Sequence, residues 1–187
     1  MSEVAHLTPP ELEAGLATIR SAPAGAGSIE LIVRRPGLGE REELAEAVLD
    51  PVVGLVGNDW STRGSRHTPD GSPVHGHQLT ITSARSIGLL AGARSRWSLA
   101  GDQLYVDLDL SEAALPVGAL LEVGEALVEV RPEPHKGCAK FAERFGRDAL
   151  RFVQSTEGRA LRLRGLHAVV STGGTVRTGD RIGLPTG

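Results

Sequence analysis

The stretch Leu104-Tyr105-Val106-Asp107-Leu108-Asp109-Leu110 places an aliphatic side chain at every second position, with Tyr105, Asp107 and Asp109 between them. Period two is the geometry of a β-strand, so one face of this segment is expected to be buried and the other to meet water. Leu120 to Val123 and Ala126 to Val130 are separated only by Gly124-Glu125, the spacing of a hairpin. The last segment continues in the same way. Leu161 and Leu163 alternate with Arg162 and Arg164, Leu166 to Val170 follows, and Gly173-Gly174, Val176 and Gly179-Asp180-Arg181-Ile182 close the pattern. Many short strands with glycine turns and few helices predict a mainly β protein, a barrel or sandwich with peripheral helices.

The helices are expected before this β region. Thr8-Pro9-Pro10-Glu11 reads as a helix start, with Thr8 as cap, proline in the first turn and Glu11 closing a capping box, and Leu12, Leu16 and Ile19 form its apolar stripe. Ile29 to Val33 is a strand candidate, Pro36-Gly37 a turn, and Glu40 to Leu49 a second helix stopped by Asp50-Pro51. Residues 1–57 are thus read as peripheral helices and one strand. Asn58 to His77 is polar, turns at Pro69-Asp70-Gly71 and has no hydrophobic period, which marks a long loop of the kind that borders functional sites. It holds His67, His75 and His77; His75 and His77 would share one strand face, and no carboxylate or cysteine falls at ligand spacing, so solvent or substrate contact is favoured over metal. Gln78 to Thr82 is a strand candidate, and Ser83 to Ala91 a short helix capped by Ser83 and ended by Gly92.

At 187 residues the chain is expected to form one domain, 1–187, with a core that needs no crosslink. A single cysteine excludes an internal disulfide, and the first residues lack a signal peptide's cationic start and apolar run, so a cytoplasmic protein is expected. No apolar run approaches the roughly twenty residues of a membrane span. The net charge of −3 hides an asymmetry: residues 1–60 hold 4 basic and 10 acidic side chains, 61–130 hold 5 and 8, and 131–187 hold 11 and 5. The basic C-terminal third favours a small anionic partner over nucleic acid, because the whole chain is acidic and no nucleic-acid-binding motif is present.

That third contains Pro134-His135-Lys136-Gly137-Cys138-Ala139-Lys140-Phe141, with the only cysteine and the only two lysines of the chain. Phe141, Phe145, Ala149 and Phe152 recur at helical spacing opposite Lys140, Arg144, Arg147 and Arg151, so Cys138 stands at a helix start. Unpaired amides, the helix dipole, Lys136, Lys140 and His135 all favour thiolate there, the form that attacks electrophiles, carries sulfur or binds a soft metal. The bland alternative, of equal weight on composition, is a small buried apolar residue sharing a face with Phe141 and Phe145. Arg162 and Arg164, taken as neighbours on one strand face, form either two solvated charges or a forked clamp for phosphate or carboxylate.

Read together, Leu99-Ala100-Gly101-Asp102-Gln103-Leu104, Pro134 to Phe141, Arg144-Phe145-Gly146 through Phe152, Leu161-Arg162-Leu163-Arg164-Gly165 and Gly174-Thr175-Val176-Arg177-Thr178-Gly179-Asp180 resemble a MOSC domain, the module named from the C-terminus of molybdenum-cofactor sulfurases. The resemblance covers roughly residues 95–182, and Val56-Gly57-Asn58-Asp59-Trp60 resembles that family's Gly-Asp loop with Asn58 interposed. It implies a MOSC-type β-barrel with the cysteine in a cleft, carrying sulfur as a persulfide or holding a molybdenum–pterin cofactor, in some members to reduce N-hydroxylated compounds. The family is associated with pyridoxal phosphate enzymes, but no aminotransferase-like sulfurase portion is present here, so a separate cysteine desulfurase or reductase would supply sulfur or electrons. On this reading Cys138, Lys140 and His135 are the catalytic candidates and Cys138 the molybdenum ligand. Arg162, Arg164, Arg144, His75 and Gln78 are the candidate cofactor contacts. The competing reading is a non-catalytic carrier for an anionic metabolite, with Cys138 structural.

Overall fold

A computed structural model describes residues 6–186; Met1 to Ala5, read above for a leader, lie outside the described residues. Two short helices open the chain, α1 (Pro9–Ala14) and α2 (Leu16–Arg20). The capping box forms, with Thr8 N donating to Glu11 Oε2 at 2.8 Å. The strands β1 (Ala26–Arg34), β2 (Glu42–Leu44), β3 (Glu46–Asp50) and β4 (Gly54–Leu55) follow. The expected helix from Glu40 to Leu49 is therefore corrected to two strands. Ala47 and Leu49 are buried between exposed Glu46 and Val48, a period of two that cross-strand pairing selects over helical propensity.

After the one-turn helix α3 (Trp60–Arg63) come β5 (Leu79–Ser83), α4 (Ala84–Ala91) and a 3₁₀ segment over Arg94–Ala100 leading into β6 (Leu104–Asp107). Ser83 caps α4 as expected, accepting from Ser86 N at 3.2 Å. The hairpin is formed by β7 (Leu120–Val123) and β8 (Ala126–Val130), with Val123 opposite Ala126 across Gly124-Glu125. The Cys138 helix breaks in two at Gly146, giving α5 (Ala139–Phe145) and α6 (Arg147–Gln154), followed by α7 (Thr156–Ala160). The chain ends in β9 (Leu166–Thr172), β10 (Gly174–Arg177) and β11 (Arg181–Gly183).

The main sheet runs β11-β7-β8-β9-β5-β6-β1-β2, and β1 also pairs with β11, so seven strands close into a barrel with β2 as an appendage; β10-β3-β4 form a second, small sheet. Among the described strands only β5 and β6 pair in parallel, which α4 makes possible by crossing between them. Gly27 lies where β1 meets β6 so closely that a Cβ would overlap the Asp107 carbonyl. Alternation divides β1 and β6 between two cores. Ile29, Ile32, Ile81, Leu104, Val106, Val128, Leu166 and Val170 fill the barrel, whereas Leu31, Val33 and Tyr105 face outward under Leu12, Ile87, Phe141, Phe145 and Val153. The outer face of β6 thus does not meet water as the alternation implied: the helices cover it, and Tyr105 is fully buried. This helical cover brings Phe141 and Phe145 of α5, the helix that Cys138 opens, into one cluster with Leu31, Val33 and Tyr105 on the outer face of β1 and β6.

Candidate functional site

Cys138 caps α5 in an extended conformation, its carbonyl accepting from Phe141 N at 3.0 Å and Ala142 N at 3.1 Å. The thiol is exposed, which removes the reading of Cys138 as a buried structural residue. Lys136 and Lys140 are exposed beside it. The approach to the cysteine is held from α6, where Gln154 Nε2 donates to Gly137 O at 2.8 Å. A Cβ on Gly137 would run into Leu150.

One helical turn beyond Cys138, Phe141 carries the Arg164 guanidinium over its ring, 5.0 Å from the centroid. Arg164 leads to the most buried charge in the region. Asp102 is fully buried, with Arg164 Nη1 donating to Oδ2 at 2.6 Å and His135 Nε2 2.6 Å from Oδ1. Burial alone would raise the Asp102 carboxyl, but Arg164 and His135 outweigh it and hold the group down at about 2. Burial, with the charge of Arg164, pushes His135 down, so the imidazole is neutral near pH 7. A carboxylate only accepts, which assigns the His135 proton to Nε2 and leaves Nδ1 as a lone pair.

His135 is one of three imidazoles in contact. Its ring centroid lies 4.6 Å from that of His167 on β9, and His167 stacks on His77 at 4.2 Å with 16° between planes. Burial lowers His167 to about 2, helped by its neighbours His135 and His77, and burial lowers His77 as well. Through His77 the 58–77 loop reaches this cluster. His75 and His77 lie in one 3₁₀ turn, not on a strand face, and His75 is exposed. Gln78 has no free amide for a cofactor: Nε2 donates to Pro51 O at 2.8 Å and Oε1 accepts from Val170 N at 2.7 Å.

Above Gly101, beside Asp102, two further guanidinium groups converge. A Cβ placed on Gly101 would lie 3.9 Å from both Arg35 Nη1 and Arg41 Nη2. Burial and the charge of Arg63 depress Arg35; burial and the charge of Arg144 depress Arg41. Arg63 is paired with Asp59 Oδ2 at 3.5 Å, whereas Arg35 Nε and Arg41 Nε are buried without a hydrogen-bond partner, two donors that an anion could satisfy. Arg144 spends one nitrogen on Leu99 O at 2.7 Å. The Gly-Asp-like loop packs alongside: Asn58 Oδ1 accepts from Arg35 N at 2.9 Å and Asp59 N donates to Arg35 O at 2.7 Å. Asn58 Nδ2 and Asp59 Oδ1 remain buried without a partner, one donor and one acceptor next to the cationic cluster.

Arg162 and Arg164 do not project from a strand. They follow α7 in a turn where Arg162, at φ 48°, is the one described non-glycine residue with positive φ. A forked side-by-side clamp is therefore absent. Arg164 is spent on Asp102 and on Ala100 O at 2.9 Å, and Arg162 Nη1 on the carbonyls of Leu110 and Leu115 at 3.2 and 2.6 Å. Both, with His135, line a cavity of about 150 Å³ that Cys138 does not line. Sequence reasoning offered His77 for solvent or substrate contact but did not assign Arg35, Arg41, Asp102 or His167 to the site; the signal present was Arg34-Arg35 ending a strand before Pro36-Gly37.

No family model matches the chain, and no curated protein matches it in sequence. Solved structures do match. YuaD from Bacillus subtilis superposes with a TM-score of 0.64 at 16% identity, over 86% of this chain and 96% of that one. The chain has the YuaD fold. YiiM from Geobacillus stearothermophilus gives 0.57 at 15% identity over 88% and 76%, and YiiM from Escherichia coli 0.53 at 18% over 86% and 70%. YuaD and YiiM are MOSC-domain-type proteins, and the closed barrel with peripheral helices is the MOSC-like fold. Among the described residues no helix is long and apolar enough to cross a membrane.

Proposed function

We propose that this chain is a stand-alone MOSC-type protein whose exposed Cys138 and adjoining arginine cluster hold a molybdenum–pterin cofactor. The observation that carries the reading is the approach of Arg35 and Arg41 to Gly101, each with a buried, unpartnered Nε and each depressed by burial and by one neighbouring arginine, Arg63 or Arg144. A pterin phosphate answers those donors through charge-assisted, bidentate hydrogen bonds.

The residues fit the group in kind. Among the described residues no cluster of three His, Cys, Asp or Glu could bind a bare metal ion, so the chain supplies one soft donor, Cys138, and the pterin the rest. Asn58 Nδ2 and Asp59 Oδ1 offer a donor and an acceptor for a ring edge. When bound, the cofactor supplies two-electron chemistry toward an N-hydroxylated or sulfur-bearing small molecule. The chain's own part is positional: the arginines orient the phosphate, Cys138 ligates, and Lys136 and Lys140 hold positive potential at the thiol. A separate reductase gives electrons or a desulfurase gives sulfur, and Cys138 as a persulfide carrier is the sulfur-transfer form of the same reading.

The test is pterin retention in protein made by a cofactor-producing host. The parent is expected to co-purify with pterin, and Arg35→Gln with Arg41→Gln to lose at least about tenfold of it, the equivalent of one charged hydrogen bond. Equal retention by the double variant rejects the arginine cluster as the phosphate site.

A further inference from the structure

Cys138 does not line the cavity beside His135, whose walls carry both signs of charge: Arg131, Arg159, Arg162 and Arg164 against Glu112 and Glu133. Arg164 is satisfied by Asp102, and Arg131 by Glu129 at 2.8 Å. Among the described residues no acid lies within ion-pair distance of Arg159 or Arg162, and no base within that distance of Glu112. Glu133 has only Arg131 Nε at 3.9 Å, too far for a hydrogen bond. The nitrogens Arg164 Nε and Arg131 Nε and the oxygen Glu133 Oε2 are buried without partners, an arrangement that costs free energy unless a ligand or water completes it.

Two more observations mark the cavity as built. Arg162 reaches it from a left-handed backbone, a conformation that persists where surrounding contacts impose it. The volume, about 150 Å³, is that of a space able to hold a ligand of benzene's size, roughly six heavy atoms. Val117, Val153 and Leu166 give it an apolar side.

We propose that this cavity binds a small zwitterionic α-amino acid. Its carboxylate meets Arg159 and Arg162, its ammonium meets Glu133 and Glu112, and a short side chain lies against Val153 and Leu166. His135 Nδ1 is a further acceptor for the ammonium. Glu112 and Arg159 stand at the exposed rim, but an inorganic oxyanion would leave the buried Glu133 Oε2 unanswered and a simple amine would leave Arg131 Nε and Arg164 Nε so; a molecule bearing both charges matches the lining.

Calorimetric titration of the full chain with L-alanine tests this. Saturable binding is expected, with acetate, ethylamine and sulfate each weaker by about tenfold or more. Glu133→Gln, at a partly exposed position, and Arg159→Gln, at an exposed one, should each weaken alanine by about tenfold without moving the melting temperature, whereas Cys138→Ala should leave alanine binding unchanged, which separates this site from the cofactor reading. Absence of saturable binding by L-alanine overturns the proposal. So does sulfate binding that is as tight as alanine's and insensitive to Glu133→Gln.

Discussion

His135 Nε2 lies 2.6 Å from Asp102 Oδ1, so the loop that leads to Cys138 is tied to a carboxylate buried at the start of β6. Arg164 holds the other oxygen at 2.6 Å from the turn after α7. Three segments distant in sequence meet on this one carboxylate. Removing one partner of a buried pair strands the other charge, at a cost of about 3–5 kcal/mol. Asp102→Asn is therefore expected to lower the urea-unfolding free energy by that amount. A loss below about 1 kcal/mol would mean that the Arg164 charge finds solvent or another partner.

The histidine stack sets a pH dependence. In the unfolded chain each imidazole takes a proton near pH 6.5, but burial holds His167 neutral down to about 2 and also lowers His135 and His77. Between those limits the unfolded state binds more protons, so stability falls as pH drops below about 6.5, by roughly 1.4 kcal/mol per unit for each histidine kept neutral. Asp102 adds its own loss only below about pH 4, where its unfolded carboxyl protonates. Urea midpoints measured from pH 7.5 to 5 should decline steeply, and His167→Phe should flatten that decline; a pH-independent midpoint in the parent would exclude a buried neutral His167.

Gly165 links the same cluster to the barrel. At φ 99° it occupies a conformation costly to other residues, and a Cβ there would strike the Ile81 carbonyl where β9 begins beside β5. Gly165→Ala is expected to destabilise by at least about 2 kcal/mol, the backbone strain and the overlap adding together. Thermal unfolding reads it, and a melting temperature within about a degree of the parent's, less than the several degrees that 1 kcal/mol moves a domain of this size, would show that the strand shifts to make room.

The barrel was legible because its strands carry their own period. Leu104 and Val106, the Gly124-Glu125 hairpin, Leu166 to Val170 and the Ser83 cap all stand where alternation and turn chemistry put them. Glu40 to Leu49 misled because Glu42, Glu43, Glu46 and Ala47 favour helix locally, while the pairing of β3 with β10 is a contact across more than a hundred residues that no local pattern encodes. Leu161 to Arg164 misled in the reverse sense: two leucines alternating with two arginines imitate a strand, but α7 ends there and Arg162 turns left-handed. At the site, the helix start at Cys138 was local and readable. Arg35, Arg41 and Asp102 come together only through the long-range pairing of β1 with β6, so their meeting had no signal in spacing.

Elemental analysis of protein from a cofactor-producing host, comparing the parent with Cys138→Ala, tests the central claim most directly. Stoichiometric molybdenum in the parent and its loss from the variant, with both folded by circular dichroism, is the predicted result. A parent free of molybdenum and pterin, or a Cys138→Ala variant that retains the metal in full, would contradict it.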